Sequence, residues 1–339
     1  MNLPTLPTTR DENWKYTDLS VLASKPRVFT QNKIITFKNH TQKGIVITPL
    51  TIQPENSLDT FENLNKKFNT ENYSITISED LAQPLEIIYT AQGDEWHQPR
   101  IKIIVENNIA ATIIEIFESN IPSIINAVTE IEMSSGSNLA YYKIQAEHIN
   151  TFHIGRTHIT LDAKSHVQAF TLSKGSQLAR SDIFVTFQGE HASCDLYGLS
   201  YSKSRQHLDH HTVIDHAVGH CTSNEFYRSI LDDKSRVVFN GKVIVREGAH
   251  QTEANQSNHN ILLSSEAEID TKPELEIYHD DVKCTHGATI GQLDDEALFY
   301  LRSRGLSEEA SRDILIQAFG NKVLQCISDE QLRERLCQY

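Results

Sequence analysis

The 339-residue sequence predicts a mainly β protein with short helical segments at both ends. Short apolar or alternating runs such as "PLEIIY", "IKIIVE" and "DIFVTFQG" recur between residues 84 and 290. Small polar turn segments, among them "SSGSN", "SKGS" and "REGA", separate the runs, and few stretches could sustain three turns of helix. A sandwich, a barrel and a parallel β-solenoid all fit this pattern. The lack of clear Asn-Gly or Asp-Gly hairpin turns favours the solenoid.

The N-terminal part, residues 1–83, is predicted to be partly helical. The first candidate helix is "RDENWKYTDLSVL", whose apolar residues have helix-compatible spacings: Trp14, Leu19 and Leu22. The second candidate runs from Ser57 to Phe68, with Asp59 or Thr60 as its N-cap. Its apolar stripe is spaced by three and four residues: Phe61, Leu64 and Phe68.

A helical module over residues 293–339 is predicted to follow the β core of residues 84–292. In its first helix Asp294 is the N-cap and Gly305 follows the end. Ser307 is predicted to cap the second helix, and Ser328 with Gln331 is spaced as a capping box for the third. The apolar face predicted for the second helix is Ala310, Ile314, Leu315 and Ala318.

Composition restricts the possible partners and the compartment. A formal net charge of −14 repels phosphate backbones and anionic lipids, so the sequence predicts no nucleic-acid partner and no membrane. The five cysteines are scattered without paired spacing, which indicates a reducing compartment. No signal peptide and no long apolar run are visible. Together these observations predict a cytoplasmic protein.

Motifs for common enzymatic reactions are missing from the sequence. It contains no G-x-x-x-x-G-K-[ST] phosphate loop and no G-x-S-x-G elbow, and no pair of carboxylates is distinguished by spacing. In "HLDHHTVIDHAVGHC", histidines four residues apart would share one face of a helix and could bind metal. Because Val213, Ile214 and Gly219 make a helix doubtful there, solvated or corner histidines are the favoured interpretation. We therefore predict that the chain is not an enzyme.

The segment "HDDVKCTHGATIG", His279 to Gly291, carries the most distinctive group of side chains. On a strand, alternate residues share a face, so Asp280, Cys284 and His286 would point the same way. A carboxylate, a thiol and an imidazole are all metal-ligand types. The competing interpretation is a buried thiol beside a hydrogen-bonded histidine.

Longer motifs resemble the SufB/SufD family of iron–sulfur cluster assembly proteins. The similarity lies in "RDENWKYTDLS", in "VKCTHGATIGQLDDEALFYLRSRGL", and in nearly the whole stretch from "DHAVGHCTSNEF" to "ELEIYHDDVKCTHGAT". The string "HGAT" favours the SufD branch, because the SufB branch carries H-E-A-T there. One departure from the family's pattern is the short segment before the β region, where many members carry a longer N-terminal helical part.

The resemblance implies a right-handed parallel β-helix flanked by short helical segments, and a non-catalytic scaffold subunit of the SufBCD complex. It implies pairing with SufB through the β-helix and docking of the SufC ATPase through the C-terminal helices; in isolation the chain could form a homodimer. His286 and Cys284 match the family's residues for iron handling at the SufB interface. No cofactor would be held stably by this chain alone, although iron or a nascent cluster could bind transiently at that interface. The apolar candidates for SufC docking are Leu298, Phe299, Leu301, Ile314 and Leu315.

Two other functions stay open at this point. A β-helix enzyme acting on polysaccharide would share the architecture, although that class usually carries a secretion signal. A purely structural interaction subunit would hold SufB and SufC without touching iron. Co-purification with an ATPase separates the first alternative from the scaffold, and cluster loading of a His286 variant separates the second.

Overall fold

Two long, facing β-sheets form a β-solenoid of about eight turns in the computed structural model, which describes residues 5–52, 57, 59–69 and 71–339. The predicted mainly β class with short terminal helices is confirmed. The strands in chain order are β1 (Ile35–Lys38), β2 (Ile45–Pro49), β3 (Glu71–Ile77), β4 (Leu85–Thr90), β5 (Trp96–His97), β6 (Pro99–Val105), β7 (Ala110–Ser119), β8 (Ile124–Met133), β9 (Asn138–Glu147), β10 (Phe152–Leu161), β11 (His166–Lys174), β12 (Leu178–Phe187), β13 (Ser193–Ser202), β14 (His207–His216), β15 (Thr222–Leu231), β16 (Arg236–Val245), β17 (Thr252–Leu262), β18 (Glu268–Ile277) and β19 (Val282–Gly291).

From β6 onward successive strands alternate between the sheets, so each pair of strands with its corners makes one rung. The nine-stranded sheet has the order β1-β4-β7-β9-β11-β13-β15-β17-β19. The ten-stranded sheet has the order β18-β16-β14-β12-β10-β8-β6-β3-β2, and its tenth strand, β5, pairs with β8 beside this path. Pairing is parallel from β3 onward, so the parallel rungs begin before residue 84. Phe152 is in register with Leu178 on the next strand of the sheet, and Leu178 with His207. The number of residues between register partners differs because the corners between strands differ in length. This variation explains why the sequence shows no strict repeat.

The hydrophobic core lies between the two sheets. Side chains of successive rungs stack at equivalent positions, and one such column on the nine-stranded sheet is Leu85, Ile113, Tyr141, Ala169 and Leu196. All five are buried in a single cluster. Many residues on the outer faces of the central strands are buried as well, as in β8 and β9.

The N-terminal segment covers the outer face of the ten-stranded sheet. The first predicted helix is only a 3₁₀ turn, Glu12–Trp14, followed by the short helix α1, Ser20–Ser24. Trp14 packs against the sheet, where the Arg180 guanidinium lies 3.9 Å from the centre of its indole ring. The second predicted helix is present as α2, Thr60–Phe68. Asp59 caps α2 by accepting a hydrogen bond from the backbone N–H of Glu62, as predicted.

Three C-terminal helices, α3 (Asp295–Ser303), α4 (Glu308–Leu324) and α5 (Glu330–Cys337), close the chain. Asp294 and Ser307 cap α3 and α4 as predicted. The predicted Ser328 capping box is wrong, because Asp329 caps α5 and accepts from the backbone N–H of Leu332. No described helix is long and apolar enough to cross a membrane.

The sheet-facing side of α4 also differs from the prediction. The nine-stranded sheet is covered by a different set of residues, namely Ile316, Phe319, Val323, Leu324 and Ile327. Ile314, which was predicted on the apolar face, is 42% exposed. The helix carries apolar residues on more than one side, so spacing alone could not identify the side that packs.

Candidate functional site

The two ends of the solenoid differ in how their last strands are paired. At the N-terminal end, β1 and β2 run antiparallel to the neighbouring strands β4 and β3, which ends the parallel ladder. At the C-terminal end, β18 and β19 are each the last strand of their sheet. Side chains along both are half-buried or exposed, whereas most residues of the preceding strands are buried. This open end presents strand edges of the kind that proteins usually pair or cover.

Cys284 and His286 both lie on β19, at the open end. Alternation puts them on the same face, with Cα atoms separated by roughly 6.6 Å along the strand. Their register partners on β17 are Ala254 and Gln256, both buried in the interior. The two candidate ligands therefore continue interior columns of the solenoid and are uncovered because the solenoid ends at their rung.

The two side chains have different surroundings. Cys284 is half-buried against the core cluster, and burial raises the pKa of its thiol although a hydrogen bond with the Ala254 backbone opposes the rise. His286 is exposed, and no hydrogen bond from a described residue reaches its ring. An imidazole without a protein partner can donate its lone pair to a metal, whereas the thiol needs a nearby cation to favour its thiolate.

The carboxylate expected on the same face is not there. The strand begins at Val282, so Asp280 lies in the bend before it and its carboxylate is fully exposed beside His279. Among the described residues, no group of three or more His, Cys, Asp or Glu side chains is arranged to hold a metal. Cys284 and His286 supply two donors, and a cluster would need further ligands from another molecule.

Behind His286, a buried polar pair extends the same column into the solenoid. Gln256 donates from Nε2 to Glu225 Oε2 at 2.5 Å. Burial raises the pKa of Glu225 to about 7, and the hydrogen bond from Gln256 opposes the rise. Gly241, on the opposite sheet, makes room for this pair, because a Cβ there would lie 2.2 Å from Gln256 Nε2. Sequence reasoning missed these residues, since they come from three different strands.

The histidine-rich stretch is a strand and a corner, not a helix. On β14, His210 and His216 point inward, bond to serine hydroxyls at 2.8 and 2.9 Å, and have pKa values lowered to about 4 by burial. His207 contacts the Thr17 hydroxyl, which ties the "WKYTD" motif to the sheet. His220 lies at the next corner. Metal binding by helical pairs is thereby excluded for this stretch.

The C-terminal helices leave an apolar surface uncovered by the described chain. Phe299 on α3 is 74% exposed, and Leu298, Leu301 and Leu315 are half-buried. Helix α3 packs against α4, while α4 packs on β13 and β15. We call the set Leu298, Phe299, Leu301, Ile314 and Leu315 the α3–α4 surface; none of them belongs to the cluster that covers the sheet.

The sequence matches the family described as "SUF system FeS cluster assembly, SufBD core domain" over residues 87–319. The chain belongs to the SufBD family. The matched region runs from β4 into α4, so it includes β19 and the open end. The SufB/SufD resemblance predicted from the motifs is confirmed.

Known proteins of several organisms are similar to most of the chain. A Synechocystis protein named "Iron-sulfur cluster assembly SufBD family protein" is 34% identical over 83% of this chain and 65% of its own length. The Escherichia coli "Iron-sulfur cluster assembly protein SufD" is 29% identical over 98% of this chain and 88% of its length. "Protein ABCI7, chloroplastic" of Arabidopsis thaliana is 31% identical over 70% of this chain and 51% of its length. This SufBD chain thus spans less than two thirds of the Synechocystis protein.

Proposed function

We propose that the chain is a SufD-like, non-catalytic scaffold subunit of a cytoplasmic SufBCD complex for iron–sulfur cluster assembly. The observation that carries the proposal is the open C-terminal end of the solenoid, where β18 and β19 lack a further strand within the described chain. Two adjacent strand edges suit pairing with the β-helix of another subunit, by the same main-chain hydrogen bonds that join the rungs. SufB is the partner proposed for this end.

Iron or a nascent cluster is the cargo proposed for this interface. His286 and Cys284 would contribute an imidazole and a thiolate, which suit iron and sulfide. A donor from the partner that approaches β19 would complete the ligand set. The exposure of His286 supports its role as a ligand over a structural role, because an exposed ring without a protein hydrogen bond contributes little to folding.

The SufC ATPase is proposed to dock on the α3–α4 surface. This chain has no phosphate loop of its own, so the energy of ATP hydrolysis would come from such a partner. Removal of residues 294–339 would be a poor test, since α4 and α5 cover apolar residues of the sheet such as Tyr142, Phe170 and Leu199. Single substitutions at exposed positions leave that cover intact.

The proposal is tested by co-expressing the untagged chain with tagged SufB and SufC from the same organism. Iron and acid-labile sulfide are measured on the purified complex. We expect His286→Ala to leave all three subunits together but to lower iron and sulfide, and Cys284→Ser to lower them less. Thr285→Ala is the matched control, because Thr285 points to the opposite face of β19 and bonds Asn255.

The outcomes separate the three roles of the chain. If the chain co-purified with neither SufB nor SufC, the scaffold assignment would be overturned. An intact complex with normal iron and sulfide in the His286→Ala variant would leave a purely structural interaction subunit.

A further inference from the structure

Four histidines lie at the same corner of four successive rungs: His191, His220, His250 and His279. They precede the strands β13, β15, β17 and β19, respectively. The rings of His191 and His220 are stacked with centres 4.9 Å apart, those of His220 and His250 lie 4.6 Å apart, and His279 is 6.2 Å from His250. We call this set the histidine corner. The sequence alone does not show this cluster, because its successive histidines lie one full rung apart along the chain.

The central pair of the histidine corner brings two ring nitrogens together. His220 Nε2 and His250 Nε2 are 3.0 Å apart, at a half-buried position. His250 Nδ1 lies 2.9 Å from the carbonyl oxygen of Gly248, which can only accept, so Nδ1 carries a proton and donates. In the neutral ring Nε2 therefore keeps its lone pair, directed toward the second imidazole.

The backbone at this corner permits the close approach of the two rings. A Cβ at Gly219 would lie 2.9 Å from His250 Nδ1 and 2.8 Å from the His250 carbonyl oxygen, so only glycine fits there without a shift. The His220 N–H donates to that same carbonyl oxygen at 2.8 Å. His220 itself adopts a left-handed conformation, with φ of 57°. The chain thus holds the two imidazoles together from adjacent rungs.

We propose that the His220–His250 pair binds a divalent first-row transition metal ion. An ion with bonds of about 2.0–2.1 Å to two nitrogens needs those nitrogens about 3 Å apart, close to the separation found. Histidine ligands of metals generally donate their other ring N–H to a backbone carbonyl or carboxylate, as His250 does to Gly248. Binding would replace the hydrogen bond between the two rings.

The pair supplies two ligands, and the half-exposed position admits water to the remaining coordination sites. No group of three or more His, Cys, Asp or Glu side chains is arranged for a metal in the part of the chain that the structure describes. The binding constant should therefore be modest, and imidazole donors favour Zn²⁺, Cu²⁺, Ni²⁺, Co²⁺ or Fe²⁺ over Mg²⁺ and Ca²⁺. The site is distinct from β19, so it does not depend on the proposed function.

The test is a titration of the untagged full-length chain with Co²⁺, followed by visible absorption, and with Zn²⁺, followed by calorimetry. We expect His220→Asn and His250→Ala each to weaken metal binding by at least about tenfold. Substitution of residues that only hydrogen-bond to metal ligands already lowers metal affinity by about tenfold or more, and loss of a ligand itself should cost no less. Asparagine is chosen at position 220 because it tolerates the left-handed conformation. His40→Asn is the matched control: His40 is exposed and its Nδ1 also contacts a backbone carbonyl, that of Phe37, at 3.0 Å.

Two further measurements keep the proposal falsifiable if a variant is poorly folded. Zn²⁺ should raise the melting temperature of the wild-type chain, and it should protect His220 and His250 from diethylpyrocarbonate, as located by mass spectrometry. Unchanged affinity in both variants, or protection of other histidines alone, would overturn the proposal. Loss of the Co²⁺ signal in His286→Ala, with binding intact in His220→Asn, would assign the ion to β19 instead.

Discussion

Gln256 donates a hydrogen bond to Glu225 inside the solenoid, at 2.5 Å, on the column that ends at His286. Both residues are buried, and burial raises the pKa of Glu225 to about 7. An ionisable carboxyl group with a pKa near neutrality therefore lies two rungs behind the candidate ligand. Its protonation state affects the stability of the end of the solenoid that is proposed to pair with SufB.

Glu225→Gln should flatten the dependence of stability on pH. The folded-state pKa of Glu225 is above its ordinary value of 4.5, so its contribution to stability is fully present below about 4.5 and is lost as the pH rises through about 7. The wild-type chain should therefore lose about 3 kcal/mol relative to the variant between pH 4.5 and pH 8. Urea unfolding at a series of pH values measures this difference.

The matched control for this substitution is Glu253→Gln. Glu253 is an exposed residue on the neighbouring strand β17 and forms a surface ion pair with Lys283, so its replacement should not change the slope. Unfolding free energies of Glu225→Gln that run parallel to those of the wild type at every pH would show that Glu225 titrates normally.

Gly241→Ala should destabilise the chain, whereas Gly287→Ala should not. The new Cβ at position 241 would lie 2.2 Å from Gln256 Nε2, which must move and weaken its bond to Glu225; overpacking of this kind costs about 1–3 kcal/mol. At Gly287, on β19, no atom lies within 4 Å of the added Cβ. Thermal unfolding of both variants compares them, and an equal melting temperature would contradict the tight packing around Gln256.

The local sequence was sufficient to predict features that depend only on residues close together in the chain. Asp294 and Ser307 were identified as helix caps, and Asp59 as one of two candidates, because a cap needs only its own side chain and the next backbone N–H groups. The cap of α5 was assigned wrongly because Ser328 and Asp329 are adjacent and both suit the role. The choice between them follows from the packing of Leu332 and Leu336 on the sheet, which no local pattern encodes.

The candidate site was predictable only in part for the same reason. Cys284 and His286 are two residues apart, so a strand necessarily places them on one face. Glu225, Gln256 and the histidine corner depend instead on register between rungs. Because corners differ in length, the rung interval varies and cannot be obtained from one sequence without a strict repeat.

Asp329→Ala should destabilise α5, and Ser328→Ala should not. The Asp329 carboxylate satisfies the backbone N–H of Leu332, and loss of an N-cap costs about 1 kcal/mol. Ser328 is exposed and makes no such bond with a described residue. The free energy of unfolding of both variants, obtained in urea, measures the effect. A larger loss in Ser328→Ala would restore the capping box that the sequence suggested.

Phe299→Asp and Ile314→Asp should weaken co-elution of the SufC ATPase without unfolding the chain. Both side chains are exposed on the α3–α4 surface, so the monomer should lose no more than about 0.5 kcal/mol of stability. A charge placed at the centre of an apolar interface leaves an unpaired carboxylate buried in the complex, which should weaken binding by roughly tenfold or more. Size-exclusion chromatography with purified SufC measures the loss, and thermal unfolding checks the fold.

Ile121→Asp is the matched control, because Ile121 is 43% exposed, close to the 42% of Ile314, and lies outside the C-terminal module. Its replacement should leave SufC binding unchanged. Leu324→Ala provides the opposite comparison: Leu324 packs on the sheet, so its truncation should cost about 2–5 kcal/mol of stability while the exposed docking residues stay in place. Normal SufC binding by both Phe299→Asp and Ile314→Asp would move the docking site away from α3 and α4.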